Sequence, residues 1–289
     1  MTATLTTHRL TANGGELYYE VRGSGPLLLV IGQPMTAAPF GPLADLLANE
    51  FTVVTYDPHG LGQSTVADPS LPVTPEVEAD DLAHIIDAVG GGPADVFGSS
   101  GGAVAGLALA VRHPAKVRTL IAHEPPVVAL LPDAEHVRAV SADVEESFRK
   151  AGSGAGWGKF VSLVMHQGPV TANGVQPATW SPPGAADASA DQAPPAPSEK
   201  QLADDAMFFL RMLNPFARYE PDADLLRSGS PRVVLAVGES SGAEIAKRST
   251  LALADQLGQT PTTFPGDHGG FMADPAAFAD AIRKVLKRD

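Results

Sequence analysis

Along the first half of the chain, short apolar runs alternate with segments whose apolar positions recur every three or four residues. The runs predict strands and the recurring segments predict helices. "ELYYEVRG" (16–23) reads as an early strand, and "PLLLVIG" (26–32) as a continuous apolar strand of the kind buried on both faces. "PFGPLADLLANE" (39–50) has helical spacing and "FTVVTYD" (51–57) is the next strand. "PEVEADDLAHIIDAVG" (75–90) predicts an amphipathic helix ended by glycine, followed by strand "ADVFGS" (94–99), helix "GAVAGLALAVRHP" (102–114) and strand "VRTLIAHE" (117–124). Strands and helices in alternation predict an α/β fold: a mostly parallel central sheet with helices on both faces.

After Pro125 and Pro126 the rhythm changes. Helical patterns ("DAEHVRAVSADVEESFRKAG", "WGKFVSLVMHQG", "DDAMFFLRML") are separated by a stretch near 171–200 that is too rich in Pro, Ala, Asp and Ser to build a core, and it reads as a loop. The alternating pattern resumes with strand "PRVVLAVGE", helix "EIAKRSTLALADQLG", short strand "TPTTFPG", loop "DHGG" and helix "PAAFADAIRKVL". Residues 1–126 and 228–289 are therefore expected to form the α/β core, with 127–227 as a helical cap inserted over the sheet. "MFFLRML", Trp157 and Trp180 of the insertion would line an apolar pocket.

Composition narrows the chemistry. The 289 residues are 44% hydrophobic and 18% charged, enough for a large core, and the formal charge of -13 argues against nucleic acid or an anionic membrane as partner. A small molecule is the expected partner, and composition does not decide the oligomeric state. The absence of cysteine removes disulfides, thiolate metal sites and a cysteine nucleophile. The N-terminal "MTATLTTHRLTANGG" lacks a basic start followed by an apolar run, and no apolar segment approaches a membrane span, so a cytoplasmic location is the default expectation. No phosphate-binding glycine motif is present.

Gly98-Ser99-Ser100-Gly101-Gly102 fits G-x-S-x-G with Ser100 at the centre, whereas Ser99 would have Phe97 in place of the first glycine. The motif alone is weak. A strand before it and a small-residue helix after it make it a candidate nucleophile elbow, in which the next backbone N–H and the helix N-terminus stabilise a substrate oxyanion. A serine hydroxyl needs a base. His268, in the loop between the last short strand and the last helix, can reach back over the elbow. His113 reads as a helix-end cap, and His84, His136 and His166 as surface or packing residues.

The strand order, the elbow, the insertion after "LIAHEPP" and the late "GDHGGF" together resemble the α/β-hydrolase superfamily over nearly the whole chain. In that resemblance "VIGQP" stands where such enzymes carry a His-Gly-x-Pro-like turn, implying an oxyanion hole made by the amides of Gln33 and Gly101. "YDPHGLGQS" resembles an Asp-x-Arg-Gly-x-Gly-x-Ser turn, with His59 in place of arginine, either packing its loop or facing the pocket. The acid departs from the pattern. The usual aspartate follows the strand that here reads "VVLAVG", but "ESSG" comes next, with Ser241 at the place to look. Glu124, at the end of "LIAHE", where some members keep the acid, is the favoured substitute and Glu239 the alternative. Both preserve the chain order serine, acid, histidine. Asp267 is a poor candidate because a neighbour of His268 seldom turns onto the same ring.

The resemblance implies a hydrolase for a carboxylic ester, lactone or thioester of a small, largely apolar molecule, with Ser100, His268 and Glu124 as triad and no metal or organic cofactor required. Two other activities use the same residues: a cofactor-free lyase, haloperoxidase-like or ring-opening reaction, and ligand sensing with little turnover.

Overall fold

The structure, a computed structural model, describes residues 4–178, 197–228 and 230–287. It opens on a hairpin in which β1 (Leu5–Ala12) pairs antiparallel with β2 (Gly15–Arg22). The sequence pattern predicts no strand before residue 16. β1 is an edge strand exposed along most of its length, so it has no buried face for periodicity to reveal.

The rest of the sheet follows the predicted alternation except for a two-residue strand, Thr65–Val66, that no apolar run announces. β3 (Leu27–Ile31), β4 (Thr52–Tyr56), β6 (Ala94–Ser99), β7 (Val117–His123), β8 (Arg232–Gly238) and β9 (Thr262–Phe264) run parallel, while β4 meets β2 antiparallel and the short β5 (Thr65–Val66) pairs with β2. The spatial order is β1-β2-β4-β3-β6-β7-β8-β9. The fold is therefore α/β with a mostly parallel sheet, as its apolar runs predict.

Both faces of the sheet are covered. Leu29 and Ile31 of β3 pack with α2 (Pro75–Val89), α3 (Gly101–Arg112) and α9 (Ile245–Leu257) through Leu82, Leu107 and Leu253. Leu28 and Val30 point the other way, into α1 (Gly41–Leu47) and α11 (Pro275–Leu286) through Leu43, Phe278 and Ile282. Successive strand residues facing opposite cores explain why "LLLVI" is apolar without interruption.

Between β7 and β8 lie α4 (Ala134–Ala151), α5 (Ser153–Val164), α6 (Glu199–Met207), α7 (Leu213–Ala217) and α8 (Ala223–Arg227). "DDAMFFLRML" is not one regular helix: a π-helical turn at Phe208–Met212 joins α6 to α7. The extra residue in that turn lets Phe208 and Phe209 both face inward, against Trp157 and, for Phe208, Phe160. This segment is tied to α9, where Arg248 pairs with Asp133 and donates to the Gly168 carbonyl at 2.9 Å, while Ser249 donates to the Pro125 carbonyl at 2.8 Å. The loop expected near 171–200 falls mostly on 179–196, outside the described residues, as does Trp180.

Candidate active site

The chain turns sharply where β6 ends. Ser100 has φ 57° and ψ −126°, a region that side-chain-bearing residues rarely adopt, and its hydroxyl stands at the head of α3. The turn requires glycine on both sides. A Cβ at Gly98 would lie 2.6 Å from the Gly102 carbonyl oxygen, and one at Gly102 would lie 2.6 Å from the Gly32 α-carbon. Ser100 thus occupies a strand–turn–helix elbow, held by its N–H donating to the His123 carbonyl at 3.0 Å.

Ser99 differs in access. Its Oγ lies 3.1 Å from His123 Nδ1, but both residues are fully buried, so this pair cannot meet a substrate. Burial pushes the His123 imidazole down to about 4, more than the Glu124 charge beside it raises it, so the ring is neutral at pH 7. His123 is silent in the sequence, since its setting in an apolar strand carries no signal beyond burial.

His268, in the loop after β9, places its Nδ1 2.8 Å from Glu124 Oε2. The second carboxylate oxygen, Oε1, accepts from the Gly238 N–H at 2.9 Å, and the Glu124 N–H donates to the Ala236 carbonyl at 3.0 Å. Burial raises the Glu124 carboxyl, but the bond from His268 and the neighbouring His123 outweigh it and hold the group below its ordinary value, hence ionised at neutral pH. Glu124 also has φ 48°, so two of the three non-glycine residues with positive φ among the described residues are Ser100 and Glu124. Register explains how the acid comes from β7. His123, the last residue of β7, lies opposite Ala236, so β8 runs two residues beyond the end of β7 and presents the Gly238 N–H to a glutamate just leaving β7.

Glu239 is exposed and accepts from the Gly266 N–H at 3.2 Å, away from His268. Ser241, at the position of the missing aspartate, is buried. Asp267 caps its own loop by accepting from the Gly269 N–H at 2.9 Å. Of the other histidines, His113 pairs with Asp80 at 2.6 Å, His84 and His136 are exposed, and His166 approaches the Pro169 carbonyl at 3.3 Å.

Ser100 and His268 line one cavity of about 90 Å³. Gln33, Gly101 and Pro126 contribute from the sheet side, and Val137, Phe160, Leu163, Phe208 and Leu213 from the segment above it. Apart from His268, no ionisable side chain lines it among the described residues. Trp157 lies behind this wall, stacked on Phe208 with its Nε1 donating to Asp205 Oδ1 at 2.9 Å. No hydrogen bond yet joins Ser100 to His268, a contact that commonly closes only when substrate is bound.

His59 does not line this cavity. Its Nδ1 lies 2.7 Å from Asp81, its N–H donates to Glu78 at 3.1 Å, Tyr56 donates to Glu78 at 2.6 Å, and Asn13 donates to Asp81 at 2.6 Å. Burial first, then the Asp81 charge, pushes the Glu78 carboxyl up to about 7; for His59, burial lowers the ring but Asp81 raises it further, for a net increase. Both raised groups bind more protons folded than unfolded, so their contribution to stability is present in acid and fades as pH rises from about 5 through 8. In Glu78→Gln the Glu78 part of that slope is absent. Its Tm relative to the parent, followed by thermal melts, is expected to improve steadily from pH 5 to pH 8; a pH-independent difference would contradict a raised Glu78.

A family model described as alpha/beta hydrolase fold matches residues 25–169, just over half of the chain. The uncharacterized hydrolase YraK of Bacillus subtilis is 29% identical, over 99% of this chain and 98% of its own. Among solved structures, an esterase from Thermogutta terrifontis superposes with a TM-score of 0.70 at 20% identity, covering 97% of this chain and 98% of that one. An alpha/beta hydrolase from Sphaerobacter thermophilus gives 0.62 at 27% identity, covering 96% and 98%.

Proposed function

We propose that this chain, which belongs to the alpha/beta-hydrolase family, is a serine hydrolase of carboxylic esters, lactones or thioesters that works through an acyl-enzyme. One observation carries the reading: a serine at a strained elbow shares an apolar cavity with a histidine whose far nitrogen is held by a buried, ionised glutamate. In this reading Ser100 attacks the carbonyl carbon as His268 Nε2 takes its proton, and the amides of Gln33 and Gly101 receive the oxyanion. His268 then returns the proton to the leaving group. Water repeats the sequence on the acyl-enzyme, with His268 as base. Glu124 keeps the imidazole in the tautomer that leaves Nε2 free to accept, and stabilises the imidazolium.

The cavity walls describe the acyl group. About 90 Å³ is less than the roughly 150 Å³ that holds a benzene ring in an engineered cavity, and among the described residues the lining offers no charge partner except His268. Short, uncharged acyl groups fit. Among p-nitrophenyl esters, acetate and butyrate are expected to give higher kcat/KM than octanoate. Phe160→Ala, which removes a ring from the wall, is expected to shift that preference toward longer chains by about ten-fold.

Labelling with a fluorophosphonate, followed by mass spectrometry, tests the reading. An adduct on Ser100 with turnover of p-nitrophenyl butyrate supports it. An adduct without turnover would point to a ligand sensor, and the absence of an adduct would rule out a serine nucleophile.

A further inference from the structure

The oxyanion hole described above uses only the backbone of Gln33. The side chain is placed just as closely. Gln33 is 4% exposed, and its carboxamide lies over the α-carbon of Gly101, where an added Cβ would come 2.2 Å from Gln33 Oε1 and 3.1 Å from Gln33 Cβ. It fills the space that a side chain at position 101 would take, next to the nucleophile and in the wall of the Ser100–His268 cavity.

This carboxamide is underused by the fold. Gln33 Nε2 is buried and has no hydrogen-bond partner among the described residues. An unpaired buried amide weakens a protein, and methionine or leucine would fill a similar volume without that cost, so packing does not account for glutamine here. Local violations of this kind concentrate where a ligand completes the structure.

The chemistry of the substrate selects what completes it. The reacting centre of an ester, lactone or thioester presents acceptors, the carbonyl oxygen and the leaving atom, and no proton to give. The end of the carboxamide that such a group pairs with is therefore NH2. Oxygen and NH2 are nearly equal in size, so a half-turn about the terminal side-chain bond exchanges their places and puts NH2 at the position over Gly101, beside the nucleophile, that Oε1 holds here. We propose, resting on the serine-hydrolase reading, that the Gln33 side chain donates a third hydrogen bond to the oxyanion beside the amides of Gln33 and Gly101. It is then a catalytic residue whose contribution grows as the carbonyl oxygen gains charge.

Gln33→Met tests this directly, because it keeps the backbone amide and removes only the carboxamide. With p-nitrophenyl butyrate, kcat is expected to fall about 100-fold, the scale of losing one side-chain oxyanion donor, with KM nearly unchanged. Tm is expected to stay level or rise, since the unpaired amide is gone. Gln33→Glu supplies a second readout that survives poor folding of the first. Its kcat relative to the parent is expected to recover as pH falls from 8 to 5, because a protonated carboxyl can donate while a carboxylate repels the oxyanion. A parent-like kcat in Gln33→Met, a loss confined to KM, a fall in Tm with kcat/KM retained, or a flat Gln33→Glu ratio would each overturn the assignment. If the parent turns over ester and labels at Ser100 in these cases, only the Gln33 role falls. If the parent neither labels nor turns over, the serine-hydrolase reading falls and takes the Gln33 role with it.

Discussion

Ser100→Ala is expected to lower kcat for p-nitrophenyl butyrate by about a million-fold, the scale seen when a triad loses its nucleophile, and to abolish fluorophosphonate labelling. The hydroxyl is the group whose bond to the acyl carbon defines the proposed pathway, and no neighbour can replace it. Ser99, the adjacent hydroxyl, is fully buried against His123, so it cannot take over. The fold is expected to survive. Ser100 N–H, which anchors the turn on His123 O, is retained, and alanine is smaller at a position already strained at φ 57°. The matching control is Ser99→Ala, for which labelling at Ser100 should persist. Parent-like turnover by Ser100→Ala would end the proposal.

Glu124→Gln is expected to lower kcat by about ten-thousand-fold, as the equivalent change does in a serine-protease triad, while Glu239→Gln stays near the parent. The reason is the tautomer. Glu124 accepts two hydrogen bonds, one from Gly238 N–H and one on the side of His268 Nδ1. A glutamine that keeps accepting from Gly238 turns its NH2 toward Nδ1. Nδ1 must then accept, which moves the ring proton to Nε2 and leaves no base facing Ser100. Glu239, exposed and bonded to Gly266 N–H, has no such lever. Measuring kcat for both variants separates the two glutamates, and a large loss in Glu239→Gln alone would transfer the role of acid to that residue.

The parts of the molecule legible in its sequence are those written in local pattern. Apolar runs such as "LLLVI" and the "LIA" of β7 announce strands covered on both faces, because alternate residues must satisfy two cores. The elbow is legible because its glycines fall within five residues, although only Gly98 answers to the turn itself, its Cβ meeting Gly102 and Ala103, while Gly102 must lack a side chain because Gly32 of the neighbouring strand end lies against it. β1 was hidden because an exposed edge strand leaves no hydrophobic period, and the π-helical turn at Phe208–Met212 because one extra residue leaves the composition of a helix unchanged.

The sequence by itself determined an α/β sheet, the order of its buried strands along the chain and the presence of a G-x-S-x-G turn between a strand and a helix. Local propensity and burial period suffice for those. Only the tertiary structure decided that Glu124, 144 residues before His268, meets its ring while Glu239, much nearer in sequence, does not. That choice depends on how far β8 runs past the end of β7 beside it, a register that no local pattern records. The same holds for His59, held by Glu78 and Asp81 rather than facing the cavity, and for Gln33, whose buried carboxamide is defined by what surrounds it.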